Sequence, residues 1–116
     1  MVDDDAPLRM LFEVYLTAFG YTPLFAANGE EALRIARESP EIRVIILDLV
    51  MPGLSGPELA RQLAELLPGA AFLLCSGHPE KALKHLGLVV KGARFIQKPC
   101  RPMQLKQHLC EMLAAR

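Results

Sequence analysis

The chain has 116 residues, 52% hydrophobic and 22% charged, and its 13 basic and 13 acidic side chains cancel. That length fits one domain over residues 1–116 with a core of its own, and the composition excludes a disordered chain. Charge balance leaves no electrostatic footprint of a nucleic-acid binder, and no apolar run approaches the ~20 residues that span a bilayer.

In chain order, Asp3, Asp4 and Asp5 stand where a secretion signal would be basic. Leu8, Leu11, Tyr15 and Phe19 then recur at helical spacing, with Pro7 near the first turn and Gly20 ending the run. Residues 22–26 are a short strand candidate. Asn28 with Glu31 resembles a capping box and opens a helix through Ala32, Leu33, Ile35 and Ala36. Val44-Ile45-Ile46-Leu47 is apolar on both faces, as a central parallel strand must be. Ser55 with Glu58 caps the next helix, which Leu59, Leu63 and Leu66 carry and Pro68-Gly69 stops. Residues 70–75 form a second buried strand, and Pro79 starts a helix over 79–88. Phe95-Ile96 is a short last strand, and Pro102 starts a C-terminal helix with Leu105, Leu109, Met112 and Leu113 on one face.

This alternation of helix and strand argues for a parallel sheet covered by helices on both faces. The pattern wants a strand ahead of the first helix, and only Met1-Val2 are available for it. Cys75, Cys100 and Cys110 are odd in number without metal-ligand spacing, so they read as reduced thiols of a cytoplasmic protein. His78, His85 and His108 bring no evident metal-binding trio together. Lys81, Lys84, His85, Lys91 and Arg94 make a basic region around the helix over 79–88.

Asp48 is the first candidate for a reacting group. It ends an apolar strand just before a turn through Pro52-Gly53, and in open α/β sheets reaction sites lie outside the carboxyl ends of strands. Carboxylates of Asp3, Asp4 and Asp5 gathered at the same edge repel one another and call for a cation, and hard oxygen ligands suit Mg²⁺. Ser76-Gly77 offers a hydroxyl and backbone N–H groups after the second buried strand. Lys98 offers an ammonium that neutralises an anion at Asp48. Metal, carboxylate, hydroxyl and lysine are the parts of phosphoryl transfer, which runs on positioning and charge stabilisation.

Val2-Asp3-Asp4-Asp5, Gly20-Tyr21, Ala27-Asn28-Gly29-Glu30-Glu31-Ala32-Leu33, the run around Asp48, Cys75-Ser76-Gly77 and Phe95-Ile96-Gln97-Lys98-Pro99 stand in order along the chain. Together they resemble the receiver domain of two-component response regulators over essentially the whole sequence. The resemblance implies a flavodoxin-like (CheY-like) doubly wound parallel sheet of five strands in order 2-1-3-4-5, here with the first strand truncated. It implies that Asp48 accepts a phosphoryl group from a phosphohistidine. Asp4 would ligate Mg²⁺ directly, Asp3 largely through water, and the Val50 backbone carbonyl would be a further metal ligand beside Asp48. Ser76 and Lys98 would each hold a phosphoryl oxygen, and Phe95 matches the aromatic switch that turns inward with Ser76. His78 and Val50 match positions that tune dephosphorylation.

Phosphorylation would add negative charge at one strand end and shift a two-state equilibrium. The face made by the fourth helix, fifth strand and fifth helix of that fold would report it, and the same face is a candidate homodimer contact. Met51-Pro52-Gly53-Leu54-Ser55-Gly56, Cys75-Ser76-Gly77-His78-Pro79 and Gly92-Ala93-Arg94-Phe95 look most like the C-terminal receiver of hybrid sensor histidine kinases. The implied partner is a sensor histidine kinase or phosphotransfer protein, with no direct contact to nucleic acid or membrane. The implied place is the cytoplasm, including the cytoplasmic end of a membrane-attached kinase. The domain would be a phosphoacceptor that catalyses only its own phosphorylation and dephosphorylation, not an enzyme.

A different class of function is a phosphorylation-independent interaction or dimerisation module, whose short first strand prevents metal binding. The complete set of Asp48, Ser76 and Lys98 argues against it. A flavodoxin-like cofactor binder would need a phosphate-cradling loop where Asp3-Asp4-Asp5 repels phosphate. Two departures from the family pattern stand out. The brief first strand suggests a domain cut from a longer polypeptide or a gene start placed too late, and low stability if the chain begins at Met1. Cys100 stands where the family commonly has Phe.

Overall fold

β1 (Val44–Asp48), β2 (Ala71–Ser76) and β3 (Arg94–Gln97) lie side by side and parallel in that order in the computed structural model, which describes residues 1–48, 56–76, 93–97 and 101–114. Side chains alternate across a strand, so each strand feeds two cores. Ile45, Leu47, Phe72 and Leu74 pack with Ala32 and Ala36 of α2 (Gly29–Glu38) and with Leu59, Ala60 and Leu63 of α3 (Gly56–Leu66). Ile46, Leu73, Cys75 and Ile96 pack with Phe12 and Leu16 of α1 (Ala6–Ala18) and with Leu105, Leu109 and Met112 of α4 (Pro102–Ala114). This double covering explains why β1 and β2 read as unbroken apolar runs.

The helix ends follow their sequence signals. Asp5 caps α1 by accepting from the Leu8 N–H at 3.1 Å, ahead of Pro7 in the first turn. At the other end Tyr21 N–H reaches Leu16 C=O and Gly20 N–H reaches Thr17 C=O, each at 3.0 Å. That paired closure needs a left-handed residue, and Gly20 supplies it at φ 93°. Asn28 accepts from Glu31 N–H at 2.9 Å and so caps α2 as the sequence predicts. Glu58, in the first turn of α3, takes hydrogen bonds from Arg61 and Gln62, which hold its carboxyl down to about 2. Ser55, its expected capping partner, and the helix expected over 79–88 lie outside the described residues. Replacing Asp5 with alanine is expected to remove about 1 kcal/mol of stability, read as a lower urea midpoint with an unchanged slope.

The strand expected at 22–26 forms at a single position. Ala26 makes a parallel bridge to Val2, and Val2 bridges in turn to Leu47 of β1. A strand needs a neighbour of matching length, and here the neighbour is two residues long. Those two residues are nonetheless fully engaged. Val2 N–H donates to Ile46 C=O at 2.7 Å, and Val2 C=O accepts from Asp48 N–H at 3.0 Å. On the other side Ala26 N–H donates to Met1 C=O at 3.0 Å and Asp3 N–H to Ala26 C=O at 3.1 Å. The Met1 ammonium donates to Leu24 C=O at 2.8 Å, and burial among apolar groups lowers it to about 6. Ala26, Val2, β1, β2 and β3 therefore lie in the spatial order 2-1-3-4-5, with its first two members reduced to single residues.

Candidate functional site

Sheet register decides which residues meet at the carboxyl edge. Asp48 ends β1 opposite Cys75, and Ser76 ends β2 opposite Gln97. Because Val2 pairs with Leu47, the next residue, Asp3, is set beside Asp48. Carboxylate oxygens of Asp3, Asp4 and Asp48 lie within 4.8 Å of one another, and Asp3 and Asp48 are only 2% and 3% exposed. Asp4 is exposed.

The acidic tip is held from below. Asp3 Oδ1 accepts from Asp5 N–H at 2.9 Å, and Arg9 Nη1 reaches down from α1 to donate to Asp3 C=O at 2.7 Å. Arg9 was not evident as a positioning residue in the sequence. Its only signal is a basic side chain one turn into a helix that follows an acidic run. Asp5 leaves the cluster, because its carboxylate caps α1; the Asp-Ala-Pro sequence at a helix start is the clue to that role.

Like charges at this separation oppose one another by on the order of a few kcal/mol per pair at an effective dielectric of about 20. Three hard oxygen donors converging on one point, with the exposed Asp4 leaving room for water, fit a small divalent cation such as Mg²⁺. Phe95 lies opposite Leu74, half-buried against the α2–α3 core. Val50, His78 and Lys98 lie outside the described residues, as does Cys100; neither Cys75, which is buried, nor Cys110, which is exposed, is in a disulfide.

β3 is tied to α4 by a cluster absent from the sequence reading. Arg94 pairs with Glu111 and approaches His108 Nδ1 at 3.4 Å. Hydrogen bonding from Arg94, then from Gln107, holds the Glu111 carboxyl below the usual carboxylate range.

A parallel sheet covered on both faces, with acids converging at the carboxyl end of a central strand, defines a doubly wound α/β domain with an acidic edge. Residues 1–110 match the response regulator receiver domain, and the chain belongs to that family, whose members serve two-component phosphorelay signalling. It is 36% identical over 115 residues to the sensor kinase CckA of Brucella abortus (strain 2308), an alignment covering 97% of this chain and 12% of that kinase. The receiver domain of the hybrid histidine kinase CckA superimposes with a TM-score of 0.83 at 33% identity, over 97% of this chain and 94% of that one. CheY in a complex with CheX, BeF3 and Mg²⁺ from Borrelia burgdorferi gives a TM-score of 0.86 at 27% identity, over 97% and 85%. The chain thus spans about an eighth of the length of the full-length kinase it matches. Among the described residues, no helix is long and apolar enough to cross a membrane.

Proposed function

We propose that Asp48 is the phosphoacceptor of a phosphorelay. One observation carries the reading: a buried carboxylate at the carboxyl end of β1 meets two further acids within 4.8 Å. A carboxylate oxygen of Asp48 would attack the phosphorus of a phosphohistidine in a sensor kinase or phosphotransfer protein. The new bond is O–P, the P–N bond to the imidazole breaks, and the departing nitrogen recovers a proton. Asp3, Asp4 and Asp48, with the Val50 carbonyl, would hold Mg²⁺, which when bound supplies positive charge against the phosphoryl oxygens. One oxygen of Asp3 is already taken by Asp5 N–H, which favours a role for Asp3 through water. The chain itself turns over no external substrate in this scheme.

Ser76 and Lys98 would each take a phosphoryl oxygen, and Phe95 would respond from the neighbouring strand. With β3 tied to α4 through Arg94 and Glu111, a shift at Ser76 or Phe95 would pass to the α4 surface. That surface belongs to the proposed output and homodimer face, which β3 and the helix expected over 79–88 complete. The test is incubation with Mg²⁺ and a small phosphodonor, followed by intact-mass measurement of the wild type and Asp48→Asn. A mass gain of one phosphoryl group on the wild type and none on the variant is expected. Equal labelling of both would overturn the assignment of Asp48.

A further inference from the structure

Asp4 differs from the other two acids of the cluster in what holds it. Asp3 and Asp48 are buried, and the Asp3 carboxylate accepts from Asp5 N–H. The Asp4 side chain is exposed, and among the described residues no hydrogen bond or ion pair reaches its carboxylate. An Asp4 oxygen nonetheless lies within 4.8 Å of those of Asp3 and Asp48. A side chain without contacts of its own takes its direction from the backbone that carries it.

Peptide units are planar, so two backbone torsions at Asp4, one toward each neighbouring unit, set where its Cβ points. Both units are held. In the unit before Asp4, Asp3 C=O accepts from Arg9 Nη1 at 2.7 Å. In the unit after it, Asp5 N–H donates to Asp3 Oδ1 at 2.9 Å. Asp3 is anchored in turn by its N–H on Ala26 C=O at 3.1 Å, and Asp5 by Leu8 N–H on its carboxylate, also at 3.1 Å. One of the two holds on Asp4 therefore comes from a member of the cluster. The other comes from Arg9, six positions from Asp3 and one turn into α1. The dipole disfavours a cation at that end of a helix, so α1 itself does not call for an arginine there.

We propose that Arg9 is a positioning residue, which fixes the carbonyl of Asp3 and thereby aims the Asp4 carboxylate at the point where Asp3 and Asp48 converge. This role rests on Asp3, Asp4 and Asp48 being the Mg²⁺ ligands proposed above. Mg²⁺ demands near-ideal octahedral geometry, and a ligand already in place loses less freedom when the ion arrives. Arg9 touches neither the ion nor a phosphoryl group and acts through Asp4. A role by charge alone has the opposite sign, because a guanidinium near a cation site repels the ion. Loss of Arg9 weakens Mg²⁺ binding if it aims Asp4, and tightens it if only its charge counts.

The test measures the Kd of the full chain for Mg²⁺ by calorimetry. It compares the wild type, Arg9→Met, Arg9→Lys, Asp4→Asn and the double variant of Arg9→Met with Asp4→Asn. Arg9→Met, which removes the donor, is expected to raise Kd about tenfold, the usual scale for losing a group that orients a metal ligand. Arg9→Lys keeps a donor and should raise it far less. In the Asp4→Asn background Arg9→Met should leave Kd unchanged, since the ligand it aims is gone. In EDTA, the Asp4 amide order parameter should fall in Arg9→Met from about 0.85 to below about 0.6, while Arg9→Lys keeps it high. Unchanged or tighter Mg²⁺ binding by Arg9→Met would overturn the proposal alone, as would an equal loss with and without Asp4. A wild type that binds no Mg²⁺ would overturn the metal site and this proposal together.

Discussion

Replacing Val2 with aspartate is expected to abolish cooperative unfolding of this domain. Val2 is 5% exposed and packs in the core with Ala26, Leu47 and Leu59. Its backbone links Ala26 to β1, so no other residue replaces it as the bridge between those two segments. A carboxylate buried there without a partner costs several kcal/mol, and Asp3 and Asp48 nearby add like-charge repulsion. A single domain has about 5–15 kcal/mol in total, so the substitution consumes most or all of it. Val2→Ala keeps the backbone bonds and loses two methyl groups, for about 2 kcal/mol. Urea melts of the two variants beside the wild type measure the difference. A Val2→Asp protein with a near-native midpoint would mean that the short first strand is not structural.

The second large effect concerns the acidic tip. Mg²⁺ at about a hundred times its Kd is expected to add about 2.7 kcal/mol to the stability of the wild type, a rise in Tm of roughly 10 °C. Asp4→Asn tests the metal site with little risk to the fold, because Asp4 is exposed while Asp3 and Asp48 are buried. Without metal the variant is expected to be as stable as the wild type or slightly more so, since one of three converging charges is gone. With Mg²⁺ most of the rise should vanish. Melts with Mg²⁺, with EDTA and with each protein give the answer. An unchanged Mg²⁺-dependent rise in Asp4→Asn would remove Asp4 from the metal site.

The parts of the fold that were legible beforehand are those fixed by neighbouring residues. Pro7 and Gly20 bound α1, Asn28 starts α2, and the apolar run into Asp48 is the central strand, all by local rules of capping and burial. Asp48 itself could be singled out because a charge directly after four apolar residues has few structural uses. Residues 22–26 misled because strand propensity says nothing about the length of the partner, and here the partner is Met1-Val2. Asp5 as the cap of α1 was hidden, whereas the family resemblance already set Asp3 and Asp4, without Asp5, beside Asp48. Which acid caps the helix and which meet Asp48 depends on where the chain turns out of the sheet. Arg94 and Glu111 are far apart in sequence and meet only because α4 packs beside β3, so no short-range signal announces them.

The clamped first strand also sets an order of events in folding. Val2 has no partner until Ala26 and Leu47 have both been made and brought together. During synthesis Val2 emerges ahead of both partners and is therefore among the last residues of the domain to lock. At about 5–20 residues per second the wait lasts seconds. Asp3 reaches Asp48 only through that clamp, so the acidic pocket is assembled late, and substitutions at Val2 should speed unfolding more than they slow folding.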